Sequence, residues 1–134
     1  MLWRLATLLR RRGAKRLVKL GISPQHYAIL CCLEERGTCC QKALSEQTGI
    51  NRANLVAPID ALLERELIHR DSDDADRRRD DIRLTAAGSR LLERAERALN
   101  EVEDELLRDL SAQERVALGE LVGRAIAIGC ARDA

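Results

Sequence analysis

The chain is almost without aromatic residues. It contains no phenylalanine, one tyrosine and one tryptophan, and aromatics make up 1% of its 134 residues. Since 46% of the residues are nevertheless hydrophobic, the core must consist of leucine, isoleucine, valine and alanine. This composition favours helices, and the length fits a single domain.

The sequence also lacks a strong net charge and a long apolar run. The formal net charge is +1, so any contact with nucleic acid must depend on local clusters rather than on the field of the whole molecule. No apolar run is long enough to span a membrane. The segment MLWRLATLLRRRGAKR places its apolar residues before its arginines, the reverse of a secretory signal. These features predict a cytoplasmic protein without a membrane partner.

Catalytic and metal-binding patterns are missing from the sequence. It has two histidines, no phosphate-binding glycine loop, no nucleophile elbow and no HExxH motif, which argues against an enzyme. The five cysteines are an odd number, as expected of reduced thiols rather than a disulfide framework. The adjacent pairs Cys31–Cys32 and Cys39–Cys40 lack the spacing of about two to four residues that structural zinc sites use. We therefore predict neither a metal nor a cofactor.

Four helices are predicted in the first half of the chain. The first covers residues 2–19, and the second begins after Ser23 as N-cap and ends at Gly37. CQKALSEQTG is a short third helix that stops at Gly49, and a fourth follows with Asn51 as its N-cap. Two helices joined by so short a glycine-containing turn predict a helix-turn-helix.

The pattern changes after this motif. LIHRD and DIRLT have the composition of short strands, and the charged stretch between them predicts a hairpin with a long polar tip, as in a winged helix. Thr85 then caps a long helix, and SAQE is a capping box that opens a last helix after Ser111. The long helix carries an apolar seam that predicts a partner helix: Leu92, Ala95, Leu99, Val102 and Leu106.

In this order of elements the chain resembles MarR-family transcriptional regulators. The most specific part is QKALSEQTGINRANLVAPIDALLERELIHRDSDDADRRRDDIRLTAAG, Gln41 to Gly88, which is similar to the family's helix-turn-helix, wing and LT..G start of the long helix. The resemblance implies a mainly α fold with a small two- or three-stranded β wing, in one domain over residues 1–134. Residues 24–85 would form the winged helix, and residues 1–20 and 88–134 the dimerisation helices.

The resemblance also implies partners. It predicts a homodimer whose two winged helices read a pseudo-palindromic operator in double-stranded DNA. A repressor of this kind would be released by a small phenolic or lipophilic effector, bound in the cleft between the dimer helices and the DNA-binding head. Candidates for the lining of that cleft are Tyr27, His26 and Trp3, each of which is equally explained as a packing or surface residue. The dimer interface would include six apolar residues: Leu5, Leu9, Leu99, Val102, Leu106 and Leu121.

The second helix of a helix-turn-helix enters the major groove with its N-terminal residues at the base edges. The candidates here are Asn51, Arg52 and Asn54, because arginine pairs with guanine and asparagine with adenine. Two residues depart from the family pattern. Ala57 stands where members often carry a polar or basic residue, and Pro58 lies inside the helix, where it removes a backbone hydrogen bond and favours a kink. The base preference therefore stays open.

The wing stretch DSDDADRRRDDIRLT matches the family pattern D..DRR. The resemblance assigns Arg77 to the minor groove, where narrow A·T-rich DNA attracts arginine. Asp73 and Asp76 are expected to orient the arginines through bidentate hydrogen bonds, and Arg78 is the expected paired residue. The other aspartates of the stretch have no role in this interpretation: Asp71, Asp74, Asp80 and Asp81.

Two other functions remain open on the sequence alone. Cys40 lies at the expected N-cap of the third helix, where the helix dipole makes a thiol more reactive, so a thiol-based redox-sensing regulator is one alternative. Family members that sense peroxides usually carry the reactive cysteine in the first helix, and residues 1–20 contain none. Cys32 and Cys39 resemble core positions and are predicted to pack. The other alternative is a winged-helix protein-interaction module without DNA binding. Ala57, Pro58 and the acidic wing favour it, whereas Arg52 and the arginines at 77–79 argue against it.

Overall fold

The computed structural model describes residues 1–72 and 80–133. The predicted order and types of the elements are confirmed, with a mainly α fold and a small β wing. The elements are α1 (Leu2–Lys19), α2 (Pro24–Arg36), β1 (Thr38–Cys39), α3 (Gln41–Thr48), α4 (Arg52–Glu64), β2 (Ile68–Ser72), β3 (Asp80–Leu84), α5 (Ala86–Leu106) and α6 (Ala112–Asp133).

The three strands form an antiparallel sheet in the order β1, β3, β2. β2 and β3 pair from Ile68 opposite Leu84 to Ser72 opposite Asp80, which is the predicted hairpin. β1 adds a third strand of two residues, too short to leave a pattern in the sequence. One face of the sheet closes an aliphatic core together with the helices. Its fully buried side chains include Ile29, Leu30, Leu33, Leu44, Leu55, Ile59, Leu62 and Ile82.

The start of α2 is held by a reciprocal cap. The hydroxyl of Ser23 accepts a hydrogen bond from the His26 N–H (3.2 Å), and Nδ1 of His26 accepts one from the Ser23 N–H (2.9 Å). Burial lowers the pKa of His26, and the positive charge of Arg65 adds to the effect. His26 therefore has a structural role in capping α2, and its suggested role in lining an effector site stays a prediction.

Thr85 joins the wing to α5 and explains the LT..G motif. Its hydroxyl donates to the Glu66 carbonyl (2.7 Å) and accepts from the Gly88 N–H (3.1 Å). Its own N–H donates to the carbonyl of Leu67 (3.1 Å). A Cβ at Gly88 would overlap that same carbonyl oxygen, so the close approach of α5 to the start of β2 requires glycine there.

α1 packs along α5. Gly13 is buried at the contact, and a Cβ there would lie 2.9 Å from Cδ2 of Leu99. About one turn further along α1, Arg16 forms ion pairs with Glu101 (3.4 Å) and Glu105 (2.6 Å) of α5. The seam of α5 is therefore partly covered within one subunit.

α1 is thus a partner helix for part of the predicted α5 seam within the same chain. Val102 is 1% exposed, and Leu92 and Ala95 are buried as well. The burial of Val102, which was predicted for the dimer interface, is thus complete without a partner. The other predicted interface residues of α1 and α5 keep part of their surface and are half-buried: Leu5, Leu9, Leu99 and Leu106.

α6 projects from the end of α5. The predicted capping box is present, since the Ser111 hydroxyl accepts from the Glu114 N–H (3.2 Å) and Oε2 of Glu114 accepts from the Ser111 N–H (2.7 Å). Arg115 bonds Asp104 (2.9 Å) and a backbone carbonyl at the end of α5 (3.1 Å), which fixes the direction of α6. Of the α6 side chains that the structure describes, only Arg115 and Leu118 are half-buried; the others are exposed.

Candidate nucleic-acid interface

The turn between α3 and α4 is fixed by side-chain hydrogen bonds. Gly49 ends α3 in the left-handed conformation (φ 72°, ψ 5°), which glycine adopts without strain. The hydroxyl of Ser45 donates to the Ile50 carbonyl (2.7 Å). The hydroxyl of Thr48 donates to the Leu44 carbonyl (2.6 Å) and accepts from the Ile50 N–H (3.2 Å). This is the predicted helix-turn-helix, with α4 as its second helix.

The N-terminal end of α4 is presented to solvent. Asn51 is its N-cap, as predicted, and its side-chain oxygen accepts from the Ala53 N–H (2.9 Å). Residues 51–54 are all exposed. Because successive helical residues are rotated by about 100°, Arg52 and Asn54 point to nearly opposite sides.

Pro58 fits α4 without ending it. The helix continues from Arg52 to Glu64, and the proline ring is buried in the core. Pro58 has no N–H to donate to the Asn54 carbonyl, the partner four residues earlier. Ala57 is exposed on the other side of the helix. Neither departure from the family pattern therefore obstructs the outward face of α4.

The tip of the wing lies outside the described residues. Four predicted wing residues fall within residues 73–79: the groove residue Arg77, the paired residue Arg78, and the orienting residues Asp73 and Asp76. Their roles stay predictions. The structure describes the base of the wing, where β2 and β3 pair.

Asp71 links the two strands at this base. Its Oδ2 accepts from Nε of Arg83 (2.9 Å), and its Oδ1 lies 2.9 Å from Nε2 of His69. The hydrogen bond from Arg83 is the main cause that lowers the pKa of Asp71. Asp71 had no assigned role from the sequence. The hairpin register could have indicated this role. His69 stands opposite Arg83 in the hairpin, and Asp71 lies two residues after His69 on β2, so the three side chains share one face of the sheet.

An open cavity of about 360 Å³ lies between α1, α2 and α5. Tyr27 is part of its mostly apolar lining. Burial and a hydrogen bond with Cys31 raise the pKa of Tyr27, so its phenol stays protonated at neutral pH. Trp3 lies at a separate groove on α1, beside Pro24.

The cysteines divide into a buried pair and a capping residue. Cys32 and Cys39 are buried beside each other, so their predicted packing role is confirmed. Burial, with the neighbouring Cys39, raises the pKa of Cys32 to about 11. Cys40 is half-buried at the N-cap of α3, and in the described part of the chain its thiol makes no capping hydrogen bond. No three metal-ligating side chains cluster among the described residues.

Comparison with known proteins agrees with this geometry. The model of the MarR family matches residues 22–79. The HTH-type transcriptional repressor NicR of Pseudomonas putida is 29% identical over 100 residues, which cover 75% of this chain and 63% of NicR. The transcriptional regulator HosA of Escherichia coli O157:H7 is 31% identical over 101 residues, which cover 75% of each chain. The chain belongs to the MarR family.

A solved structure extends the likeness to the whole fold of this MarR-family chain. The transcriptional repressor CouR, bound to a 23-mer DNA duplex, matches with a TM-score of 0.77 at 27% identity, over 93% of this chain and 89% of CouR. The alignment with NicR spans less than two thirds of the length of that repressor. MarR-family proteins are regulators rather than enzymes, which agrees with the prediction that this chain is not an enzyme. Among the described helices, none combines the length and the apolar character needed to cross a bilayer.

Proposed function

We propose that this MarR-family protein is a homodimeric, sequence-specific DNA-binding transcriptional regulator, a repressor that a small-molecule effector releases. Residues 24–85 bind DNA, and residues 1–20 and 88–134 form the dimer. The observation that carries the proposal is the exposed N-terminal end of α4, held rigidly by the hydrogen-bonded turn before it. The DNA-bound state of CouR supports it.

The exposed apolar surface of the chain ends supports the homodimer. Large apolar side chains cluster at the start of α1 and along α6, and a monomer would leave them in water. Leu121, predicted for the interface, is 60% exposed. A two-fold dimer would cover both helices and place the two α4 helices in successive major grooves, about 34–36 Å apart. The large apolar residues exposed at the start of α1 and along α6 are Leu2, Trp3, Leu8, Val116, Leu121, Val122, Ile126 and Ile128.

The cavity beside Tyr27 is the proposed effector site. Its volume of about 360 Å³ lies within the range of roughly 300–1,000 Å³ for small-molecule sites. Its walls are mostly apolar, and Tyr27, Arg10 and Glu103 supply polar groups. These features fit a small phenolic or lipophilic molecule. Such a ligand would touch the dimerisation helices α1 and α5 and the head helix α2 together, so it could change the spacing of the two heads.

Selection of bound fragments from random DNA, followed by affinity measurements at several salt concentrations, tests the proposal. The wild type should enrich a pseudo-palindromic site, with affinity that falls as salt rises. Arg52→Ala should weaken binding to that site by roughly 1–3 kcal/mol and relax the base preference within each half-site. Arg108→Ala, which removes the same charge from an exposed position in the turn between α5 and α6, is the matched control and should bind like the wild type. Absence of salt-dependent DNA binding by the wild type would contradict the proposal and favour the protein-interaction module.

A further inference from the structure

The outward face of α4 has an apolar centre. Leu55, Pro58, Ile59 and Leu62 are buried and define the inward face of the helix. On the opposite face the exposed residues Ala53, Val56 and Ala57 carry no polar side chain, and the exposed carboxylate of Asp60 follows one turn after Val56. Since a solvent-facing helix surface normally carries polar residues, this composition needs an explanation.

Val56 is the most unusual of the three. Outside residues 1–19 and α6, it is the one large apolar side chain that the described residues leave exposed, at 49%. Its position on the second helix of the helix-turn-helix places it in the region that enters the major groove. The only apolar group that base edges present in that groove is the C5-methyl group of thymine.

We propose that Val56 is a specificity-determining residue that contacts the C5-methyl group of a thymine in each half-site. This inference rests on the proposed DNA-binding function and assigns the base that α4 recognises at its centre. Ala53 and Ala57 flank Val56 and have no atoms beyond Cβ, so the helix backbone can approach the base edges closely. A longer polar side chain at position 57 would instead hold α4 away from the methyl group, or would itself form a hydrogen bond with a base edge.

Arg52 complements this contact. It lies one turn before Val56 on the same side of α4, since residues four apart are neighbours on a helix. Arg52 can therefore read a guanine near the base pair whose thymine Val56 touches. Asn54 points to nearly the opposite side from Arg52, so its contact would lie at the edge of the groove. The expected half-site has an essential thymine close to a guanine.

The test replaces thymines of the selected site, one at a time, by 2′-deoxyuridine, which pairs like thymidine but lacks the methyl group. At one position of each half-site, this replacement should lower the affinity of the wild type about four-fold. A change of that size corresponds to the loss of one buried methyl-sized group. For Val56→Ala the same replacement should have no effect, because the contact is already gone. Val18→Ala makes the same change at an exposed position of α1 and should keep the wild-type response.

The outcomes separate this inference from the proposed function. If the wild type enriches no DNA, the proposed function fails and the inference with it. If the wild type binds a site but no deoxyuridine replacement weakens it, or if Val56→Ala loses affinity at the same position as the wild type, DNA binding stands and the role of Val56 is refuted. Alanine is the best helix former, so Val56→Ala should fold, and its helical circular dichroism should equal that of the wild type.

Discussion

At Gly88 a single missing carbon determines how the wing meets α5. A Cβ there would overlap the Leu67 carbonyl oxygen and come within 3.1 Å of Cδ2 of Leu84. The first of these contacts is with backbone, which cannot turn away as a side chain can. Gly88→Ala should therefore lower the free energy of unfolding by roughly 1–3 kcal/mol, the range for overpacked sites. Urea denaturation at a fixed protein concentration measures this change.

The control for Gly88→Ala is a glycine with open space around it. A Cβ at Gly129, near the end of α6, meets no atom of the described residues within 4 Å. Gly129→Ala should leave stability unchanged or raise it slightly, because alanine is the better helix former. Equal stability of the two variants would show that α5 can move away from β2 without cost.

Thiol reactivity should follow burial. The pKa of Cys32 is raised to about 11 by its burial and by the adjacent Cys39, so about one thiol in a thousand is ionised at pH 8. The thiolate is the reactive form, and Cys40 is also the more exposed of the two. A maleimide should therefore label Cys40 well before Cys32 in the native protein, as followed by mass spectrometry of peptides. Faster labelling of Cys32 would show that α2 and β1 open locally.

Cys40→Ser distinguishes the redox alternative from a structural role. Serine is a good N-cap, so operator affinity under reducing conditions should equal that of the wild type. If peroxide released DNA from the wild type and not from Cys40→Ser, the redox-sensing alternative would be favoured. The same response from both proteins would argue against it.

At the scale of the elements, the features that could be predicted were those determined by residues close together in the sequence. The first helix was expected over residues 2–19, and α1 is Leu2–Lys19, while Ser23 caps α2 as expected. Features that depend on distant partners were missed. β1 exists because Thr38 and Cys39 meet the middle of β3. The burial of Val102 depends on how α1 packs against α5, which a periodic apolar seam cannot indicate.

The cap of α2 should make stability depend on pH. Nδ1 of His26 accepts the Ser23 N–H, and a protonated ring cannot accept there. Burial, and then the charge of Arg65, lower the pKa of His26 in the folded protein, while the unfolded value is about 6.5. Below about pH 6.5 the unfolded chain therefore binds more protons, so this contribution to stability is complete above that pH and falls as the pH decreases.

His26→Gln isolates this contribution. Glutamine at the third helical position can still complete a capping box and does not titrate. Between about pH 7 and pH 5.5, the urea midpoint should fall further for the wild type than for His26→Gln, since the two proteins share every other titratable group. Parallel curves for the two proteins would show that His26 titrates equally in the folded and unfolded states.

At the scale of the molecule, one side chain connects α4, the helix proposed to bind DNA, to α1, which is proposed to form the dimer. Arg65, at the C-cap of α4, donates to the Gly21 carbonyl (2.7 Å) and the Leu20 carbonyl (3.4 Å) at the end of α1. Leu17 and Pro24, on either side of this junction, line the cavity proposed for the effector. A ligand that displaces the junction would therefore act on α4 through a direct hydrogen-bonded contact.

The contrast between exposed α6 and buried Val102 allows a test of the proposed dimer. α6 buries little against its own chain, whereas Val102 is buried without any partner. Leu121→Asp should place an unpaired charge in the dimer interface and convert a species of about twice 15.0 kDa into monomers, as measured by sedimentation at micromolar concentration. Operator binding should then be lost, because a single head holds only one half-site.

Val102→Ala is the complementary variant: it should lower the unfolding free energy through a cavity yet remain dimeric. A stable wild-type monomer at that concentration would contradict the proposed architecture, and a Leu121→Asp dimer that still bound DNA would exclude Leu121 from the interface.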